Sequence, residues 1–556
     1  MDYVTVEEAA DIAGVSVATI RRRCQSGDIA ANKTGNQWLI ERKDVKRSGG
    51  RQRAPKNLAT TYDLATAWKH VQATDLSEAW VPDVLRFRDY IDNTDTLLQL
   101  ASSRLSNLQF DPALRVDIPK STVSNRPGVV LNIVDRICYQ AVVLTFADKV
   151  DLLISPNVFS SRIARSGKYF MERGTTRWVK FEESVLKSAQ KGTDHWVGQT
   201  DISSYFEHIH HSILFNELSA IGVTGDPLRA LRVMLSRWAA VEGMGLPQGP
   251  NASRLLGNFY LARVDDEMLA RNHGYFRYMD DIRIVAKSKS RTVAAIRDFE
   301  HLSRRRGLIC ASSKTVVLDI KSYKTTGDNK EKAVANYFFE ANSINQARPR
   351  LRKILNNALK SDRPDQRDLK FSLWRLSRIR DHHALKRILS QLEDLAPLAT
   401  VVAAYLQHFV SRNSVQIGLS EFLANREVSH SMYLRCWLYA VMLECRKPPA
   451  KWIELARLDV QDQNNPYFLR AVAACVLARG RLTLDIAWIR DQFDVEHDPI
   501  VLRAYLVALA FAEELDGLTA KNAVGRFPQL KWTTTWLKGR KELPSLLSAK
   551  QVIAIR

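Results

Sequence analysis

Apolar and polar positions change their rhythm twice along the chain. In residues 1–45 a small apolar face, Ala9, Ala10, Ile12 and Ala13, follows Thr5-Val6-Glu7-Glu8, a capping-box start for a helix. Gly14-Val15-Ser16 predicts a tight turn, Val17 to Cys24 a second helix that Gly27 stops, and Trp38-Leu39-Ile40 a short strand. Residues 46–57, KRSGGRQRAPKN, are basic and rich in Gly, Ser and Pro, and read as a linker. Residues 58–345 mix helix and strand patterns. From 346 to 556 the period is helical almost throughout. The pattern predicts a multidomain α+β protein that ends in an all-α region.

That region carries a weak internal echo. Asn465-Pro466 precedes Leu469-Arg470-Ala471, and Asp498-Pro499 precedes Leu502-Arg503-Ala504; Leu434-Arg435-Cys436 is an earlier copy. A helical repeat of roughly 33–35 residues suggests stacked helix pairs, as in a HEAT-like solenoid. An irregular helical bundle is the other reading.

Charge narrows the partners. The chain of 556 residues has 81 Lys and Arg against 60 Asp and Glu, a formal net charge of +21. Such a surface favours a polyanion through phosphate contacts and counterion release, and RNA or DNA is the expected partner. The six cysteines, Cys24, Cys138, Cys310, Cys436, Cys445 and Cys475, form no CxxC pair, which suits reduced core thiols and argues against structural zinc. The start, MDYVTVEEAA, lacks the basic residues of a signal peptide, and no apolar run has the length of a membrane span. The expectation is a soluble, cytoplasmic protein without a membrane partner. Self-association stays open.

Four signals then fall in a fixed order. Gln199-Thr200-Asp201-Ile202-Ser203-Ser204-Tyr205-Phe206 places an aspartate at the end of a short strand, with an aromatic residue five positions on. Gly245-Leu246-Pro247-Gln248-Gly249-Pro250 is a glycine-rich loop that opens a helix. Tyr278-Met279-Asp280-Asp281, between Tyr275-Phe276-Arg277 and Ile282-Arg283-Ile284-Val285, reads as strand, acidic turn and return strand. Gly307-Leu308 and Lys314 precede the apolar strand Val316-Val317-Leu318. Phosphoryl transfer from a nucleoside triphosphate needs hard, anionic oxygen ligands for two divalent ions. Asp201, Asp280 and Asp281 are candidates for that work, and the Ile202 carbonyl is a candidate further ligand. The expected ions are two Mg2+, with Mn2+ as the alternative.

The ordered set resembles the reverse-transcriptase palm. Upstream, Val116-Asp117-Ile118-Pro119-Lys120 and Arg126-Pro127 look like the fingers strands of these enzymes. The resemblance implies a right-hand polymerase using dNTPs. It implies that Lys120 and Arg126 grip the triphosphate, that Phe206 is a steric gate against a ribose 2′-hydroxyl, that Gln248 lies near nucleotide and template, and that Lys314 is a proton donor to pyrophosphate. The first module resembles an excisionase/MerR-type winged helix-turn-helix, through Glu8-Ala9-Ala10, Gly14-Val15-Ser16, Gly27, Trp38 and Asp44. That family sets its second helix in the major groove, so Arg21, Arg22 and Arg23 are candidate nucleic-acid contacts.

The long helical tail looks like that of bacterial abortive-infection and other defence-associated reverse transcriptases. The resemblance implies a role in antiviral defence. Some members make DNA without a template from a protein hydroxyl, for which the tail offers Tyr405, Tyr433, Tyr439, Tyr467 and Tyr505. Two alternatives stand beside this: a retron- or intron-type enzyme with a dedicated non-coding RNA, and a non-catalytic nucleic-acid-binding regulator. Arg378 and His383 have the spacing of helical ribonuclease domains, a pattern expected about once by chance in a basic chain of this size.

Overall fold

A computed structural model of the chain describes residues 3–13, 17–25, 29, 31–34, 37–41, 45, 62–76, 80–165, 167–189, 195–327, 330–360, 364–538 and 545–547. It forms two compact units, Met1–Thr61 and Tyr62–Arg556.

The first unit has two helices, α1 (Val6–Ala13) and α2 (Val17–Gln25), and a three-stranded antiparallel sheet. Strands β1 (Tyr3–Val4) and β2 (Ala31–Thr34) flank β3 (Gln37–Glu41). The capping box forms as the sequence predicts. The Thr5 amide donates to Glu8 Oε2 at 2.9 Å, and the Glu8 amide donates to Thr5 Oγ1 at 3.3 Å. Val4, Val6, Ala9, Ala10, Ile20 and Ile40 belong to its core. The expected turn at 14–16, Gly27, Asp44 and the 46–57 linker lie outside the described residues. Strands β1 and β2 have no pattern of their own in the sequence, because each is short and is held by β3.

The second unit is built around a four-stranded antiparallel sheet in the order β7-β8-β6-β9. Its strands are β6 (Trp196–Asp201), β7 (Gly274–Tyr278), β8 (Asp281–Ala286) and β9 (Val316–Asp319). A separate hairpin, β4 (Leu114–Ser121) and β5 (Ser124–Val130), sets Ile118 opposite Arg126. It is followed by the buried helix α3 (Ile133–Leu144). Helix α4 (Gly174–Ala189) brings Phe181 and Val185 against Val197, Phe276 and Val285 of the central sheet. Helix α5 (Asn251–Tyr260) follows the glycine-rich loop. Helix α6 (Lys289–Arg304) sits so close to β6 that a Cβ at Gly198 would lie 2.7 Å from Ile296 Cδ1 and 2.9 Å from Thr292 Cγ2. Glycine is needed there for close packing of helix on sheet.

The helical tail begins with α7 (Ile344–Lys360) and α8 (Gln366–Arg378). Further on come α9 (Met432–Leu443), α10 (Ala450–Gln461), α11 (Tyr467–Arg479) and α12 (Pro499–Phe511). The three Leu-Arg segments seen in the sequence occupy corresponding places on α9, α11 and α12. Each arginine is buried and ion-paired. Arg435 reaches Asp459 on α10 at 2.5 Å, Arg470 pairs with Glu496, and Arg503 reaches Asp83 at 2.5 Å and Asp89 at 2.8 Å. The last pair ties the tail to the region before β4. Val84, Leu85, Val116 and Ile118 share one apolar core with α9, α11 and α12, so the tail and the hairpin belong to the same compact unit. The six cysteines are free thiols, five of them buried. No helix among the described residues is long and apolar enough to cross a membrane.

Replacing Arg503 with Met strands two carboxylates in the core. Unfolding stability should fall by about 3–5 kcal/mol. The exposed Arg490, paired with Glu514 at 3.0 Å, should cost less than about 1 kcal/mol on the same change. Urea midpoints of the two variants check this, and equal midpoints would contradict the clamp.

Candidate active site

Strand pairing brings the predicted acids together. Asp201 ends β6 and Asp281 begins β8, and the two are direct cross-strand partners. Asp280 sits in the turn between β7 and β8, and the Ile202 amide donates to its carbonyl at 3.2 Å. Residues separated by some eighty positions in sequence thus meet at one end of the sheet. Met279 enters the turn with a φ of 60°, a left-handed conformation uncommon for a side chain of this size.

A buried cation holds that turn. Arg277 and Asp265 both have 0% side-chain exposure and pair at 2.6 Å. The Arg277 guanidinium also donates to the Met279 carbonyl at 2.9 Å, and to Asn258 Oδ1 at 3.0 Å and its carbonyl at 3.1 Å. Tyr275 donates its hydroxyl to the same aspartate at 2.8 Å. Burial opposes the charge of Arg277, but Asp265 outweighs it and the guanidinium pKa is raised. Asp265 was not a candidate in the sequence, because it stands on a helix with no motif of its own.

Counter-charges face two of the three acids. Lys314, 55% exposed, places Nζ 2.7 Å from Asp201 Oδ2. Arg283 donates to Asp281 Oδ1 at 2.9 Å, while its guanidinium lies 5.5 Å from the Phe181 ring centre. Asp280 has no such ion pair among the described residues. Burial, then Asp201 and Asp281, push its carboxyl up to about 6. Among the described residues no three acidic, imidazole or thiol side chains stand preformed as a metal cage. The donor set nonetheless fits a divalent ion: hard carboxylate oxygens crowd one edge, and one of them is costly to ionise without added positive charge.

The remaining candidates form a chain of contacts, with one exception. Phe206 is half-buried, and a Cβ at Gly257 would lie 3.2 Å from its ring edge and 3.7 Å from Met279 Sδ. The Leu246 amide donates to the Phe206 carbonyl at 2.8 Å, fixing the Pro-Gln-Gly loop beside it. The Gln248 carbonyl accepts from Trp80 Nε1 at 3.1 Å, and Arg126 lies over the Trp80 ring at 5.0 Å. Trp80 therefore links Arg126 to the loop. It lies far from both in sequence, and only the fold could reveal it. Lys120 is the exception. Its side chain is exposed, and its carbonyl accepts from Gln366 Nε2 at 3.2 Å.

The rest of the sequence candidates are scattered. Arg21 pairs with Glu7 at 3.2 Å, with both side chains exposed, and Arg22 is exposed. The side chain of Arg23 lies outside the described residues. Tyr405, Tyr433, Tyr439 and Tyr505 are buried, and the hydroxyl of Tyr467 is enclosed. Arg378 and His383 are exposed, and no contact between them occurs among the described residues; His383 instead meets Asn356 at 3.2 Å.

Residues 118–333 match the family model of the reverse transcriptase (RNA-dependent DNA polymerase), and its span takes in the acidic edge. The chain carries a reverse-transcriptase domain. Residues 3–48 match the helix-turn-helix domain model. The fold is thus mixed α/β and helix-rich, with a reverse-transcriptase domain and an N-terminal helix-turn-helix. No curated protein matches the chain. Among solved structures it is similar to telomerase from Candida albicans in complex with a TWJ fragment of telomeric RNA, at 10% identity over 60% of this chain and 64% of that one, TM-score 0.32. It is also similar to a chain of a partial Cas6-RT-Cas1–Cas2 complex, at 19% identity over 50% of this chain and 48% of that one, TM-score 0.27. The chain spans less than two thirds of either.

Two outcomes follow for the reverse-transcriptase domain. Asp280 titrates near 6 in the fold but near 4 when unfolded, so the folded state binds the extra proton between those values. Its ionisation therefore erodes stability as pH rises from about 4 to 6. In chelator, Asp280→Asn should raise the melting temperature at pH 8 and lose that advantage near pH 4. A pH series of melting curves checks the sign. Arg277→Met should cost about 3–5 kcal/mol by leaving Asp265 buried and alone, read as a lowered urea midpoint.

Proposed function

We propose that this protein is a reverse-transcriptase-type DNA polymerase that joins dNTPs by two-metal phosphoryl transfer. The observation that carries the reading is the convergence of Asp201, Asp280 and Asp281 at one sheet edge inside a reverse-transcriptase domain. Asp201, Asp280 and Asp281, with the Ile202 carbonyl, would hold two Mg2+ ions, or Mn2+. When bound, such ions supply charge neutralisation on the attacking and leaving oxygens.

The chain's own groups do the rest. Arg126 and Lys120 supply positive charge for the triphosphate, and Gln248 lines the nucleotide side through a loop that Trp80 fixes. The Phe206 ring stands where a 2′-hydroxyl would collide, so deoxynucleotides are favoured. Lys314, which pairs with Asp201, would give a proton to the departing pyrophosphate.

The net charge of +21 supports RNA or DNA as the partner. Arg21, Arg22 and Arg23 of the helix-turn-helix supply further phosphate or base contacts. The helical tail, with a buried arginine on each of α9, α11 and α12, fits a HEAT-like array and supports placement among the abortive-infection enzymes of antiphage defence. Templated and untemplated synthesis both stay within this reading.

Full-length protein with each dNTP separately, with and without added RNA, tests it. Homopolymer growth without RNA marks untemplated synthesis, and strict RNA dependence marks templated copying. Asp280→Ala with Asp281→Ala should cut incorporation by at least about a thousandfold while circular dichroism stays unchanged; undiminished incorporation would refute the assignment. Phe206→Ala should raise ribonucleotide use about tenfold or more relative to deoxynucleotide. Phage yield with the wild type and the double aspartate variant tests the defence role.

A further inference from the structure

The helical tail brings a cation to Arg126 without bringing an anion. The Gln366 amide donates to the Lys120 carbonyl, which seats the start of α8 on the β4–β5 hairpin. One turn further on, Lys370 is half-buried on the helix that this bond seats against the hairpin, where Arg126 stands opposite Ile118, and the two cations act on each other electrostatically. Burial, then Arg126 and Arg367, lower the lysine's pKa. Burial likewise lowers that of Arg126, whose Nε is enclosed with no hydrogen-bond partner.

Neither cation has an ion pair among the described residues. The nearby acids are engaged elsewhere: Asp365 caps α8, accepting from the amides of Arg367 and Asp368, and Asp368 pairs with Lys332. Tyr433, the group that acts electrostatically on Arg126, is pushed up by burial and stays a neutral phenol. Two cations within electrostatic reach of each other, each partly stripped of water and without a counter-charge, destabilise the fold. Their arrangement makes sense as a receptor for an anion with more than one charge. Through Trp80 and the Gln248 carbonyl, the pair is continuous with the loop beside Phe206.

We propose that Lys370, from the helical tail, joins Arg126 to form a polyphosphate-binding pocket that takes the triphosphate of the incoming nucleotide. This rests on the polymerase reading for its ligand, and on the unpaired cations for the site itself. The tail then acts as part of the nucleotide site, supplying a charge that the fingers hairpin lacks.

Full-length wild type, Lys370→Met and Lys370→Arg would be compared by thermal shift against inorganic tripolyphosphate, a dNTP, and a short single-stranded DNA with hydroxyl ends. Lys370→Met removes the charge and keeps the packing, so its ligand-free melting temperature should equal or exceed the wild type. Its affinity for tripolyphosphate and dNTP should fall about tenfold or more, as for loss of one charge-assisted contact, and Lys370→Arg should restore most of it. In incorporation assays Lys370→Met should raise the nucleotide KM with little change in kcat.

Unchanged tripolyphosphate affinity in Lys370→Met would overturn the proposal. So would a loss confined to the DNA oligonucleotide, which would make the pocket a seat for a strand phosphate. If the wild type incorporates no nucleotide but binds tripolyphosphate through Lys370, the polymerase reading falls and the pocket stands. If incorporation proceeds with the same KM in Lys370→Met, the pocket falls and the polymerase reading stands.

Discussion

The acidic edge depends on the buried pair of Arg277 and Asp265. A salt bridge with no solvent on either side is poor evidence of net stabilisation, since desolvating both ions costs several kcal/mol. Its worth here is geometric. One guanidinium reaches a carboxylate on one helix, an asparagine on another and the carbonyl of Met279 in the turn. Arginine alone among side chains offers five donors in a rigid fork, so lysine could not span the same set. The strained φ of Met279 persists because the surrounding bonds over-determine it. Asp280 is aimed by this arrangement although it makes no ion pair in it.

The electrostatics of the edge are those of crowded carboxylates with two counter-charges. Three carboxylates share a small region, and two are restrained by Lys314 and Arg283. Lys314 is exposed, while Arg283 is nearly buried and braced by an aromatic ring. The two counter-charges therefore differ in kind. Arg283 is an enclosed part of the fold that pairs with the first residue of β8, and Lys314 meets Asp201 from the solvent side. The high pKa of Asp280 is the remaining cost, which bound divalent ions would remove.

Much of this was legible in the sequence, for local reasons. A capping box, an acidic two-residue turn between apolar strands and a Pro-Gln-Gly loop each act within a few residues, so their patterns survive without the fold. The three aspartates stood out because they belong to a rare combination of residues in a fixed order, and strand pairing brings them together. Trp80, Asp265, Gly257 and Lys370 were not legible. Each has an ordinary identity and acquires its work from a neighbour far away in the chain, as Trp80 does from Gln248. The Leu-Arg echo in the tail lay between these cases. Its spacing was visible, but the burial and pairing of Arg435, Arg470 and Arg503 were not. Arg503 uses partners more than four hundred positions upstream.

That last contact changes how the tail is understood. A helical region added to a polymerase could have been an independent module joined by a linker. Instead Arg503 clamps Asp83 and Asp89, and Val116 and Ile118 of the hairpin lie in the same apolar core as α9, α11 and α12. Close-packed cores transmit displacement and resist sliding. A hairpin seated this way does not swing alone, and any movement of the Arg126 strand must carry the adjoining helices with it. Arg503 thereby helps hold the hairpin side rigid, just as Arg277 holds the turn of the acidic edge. Both are positioned by guanidinium groups that are themselves buried against carboxylates.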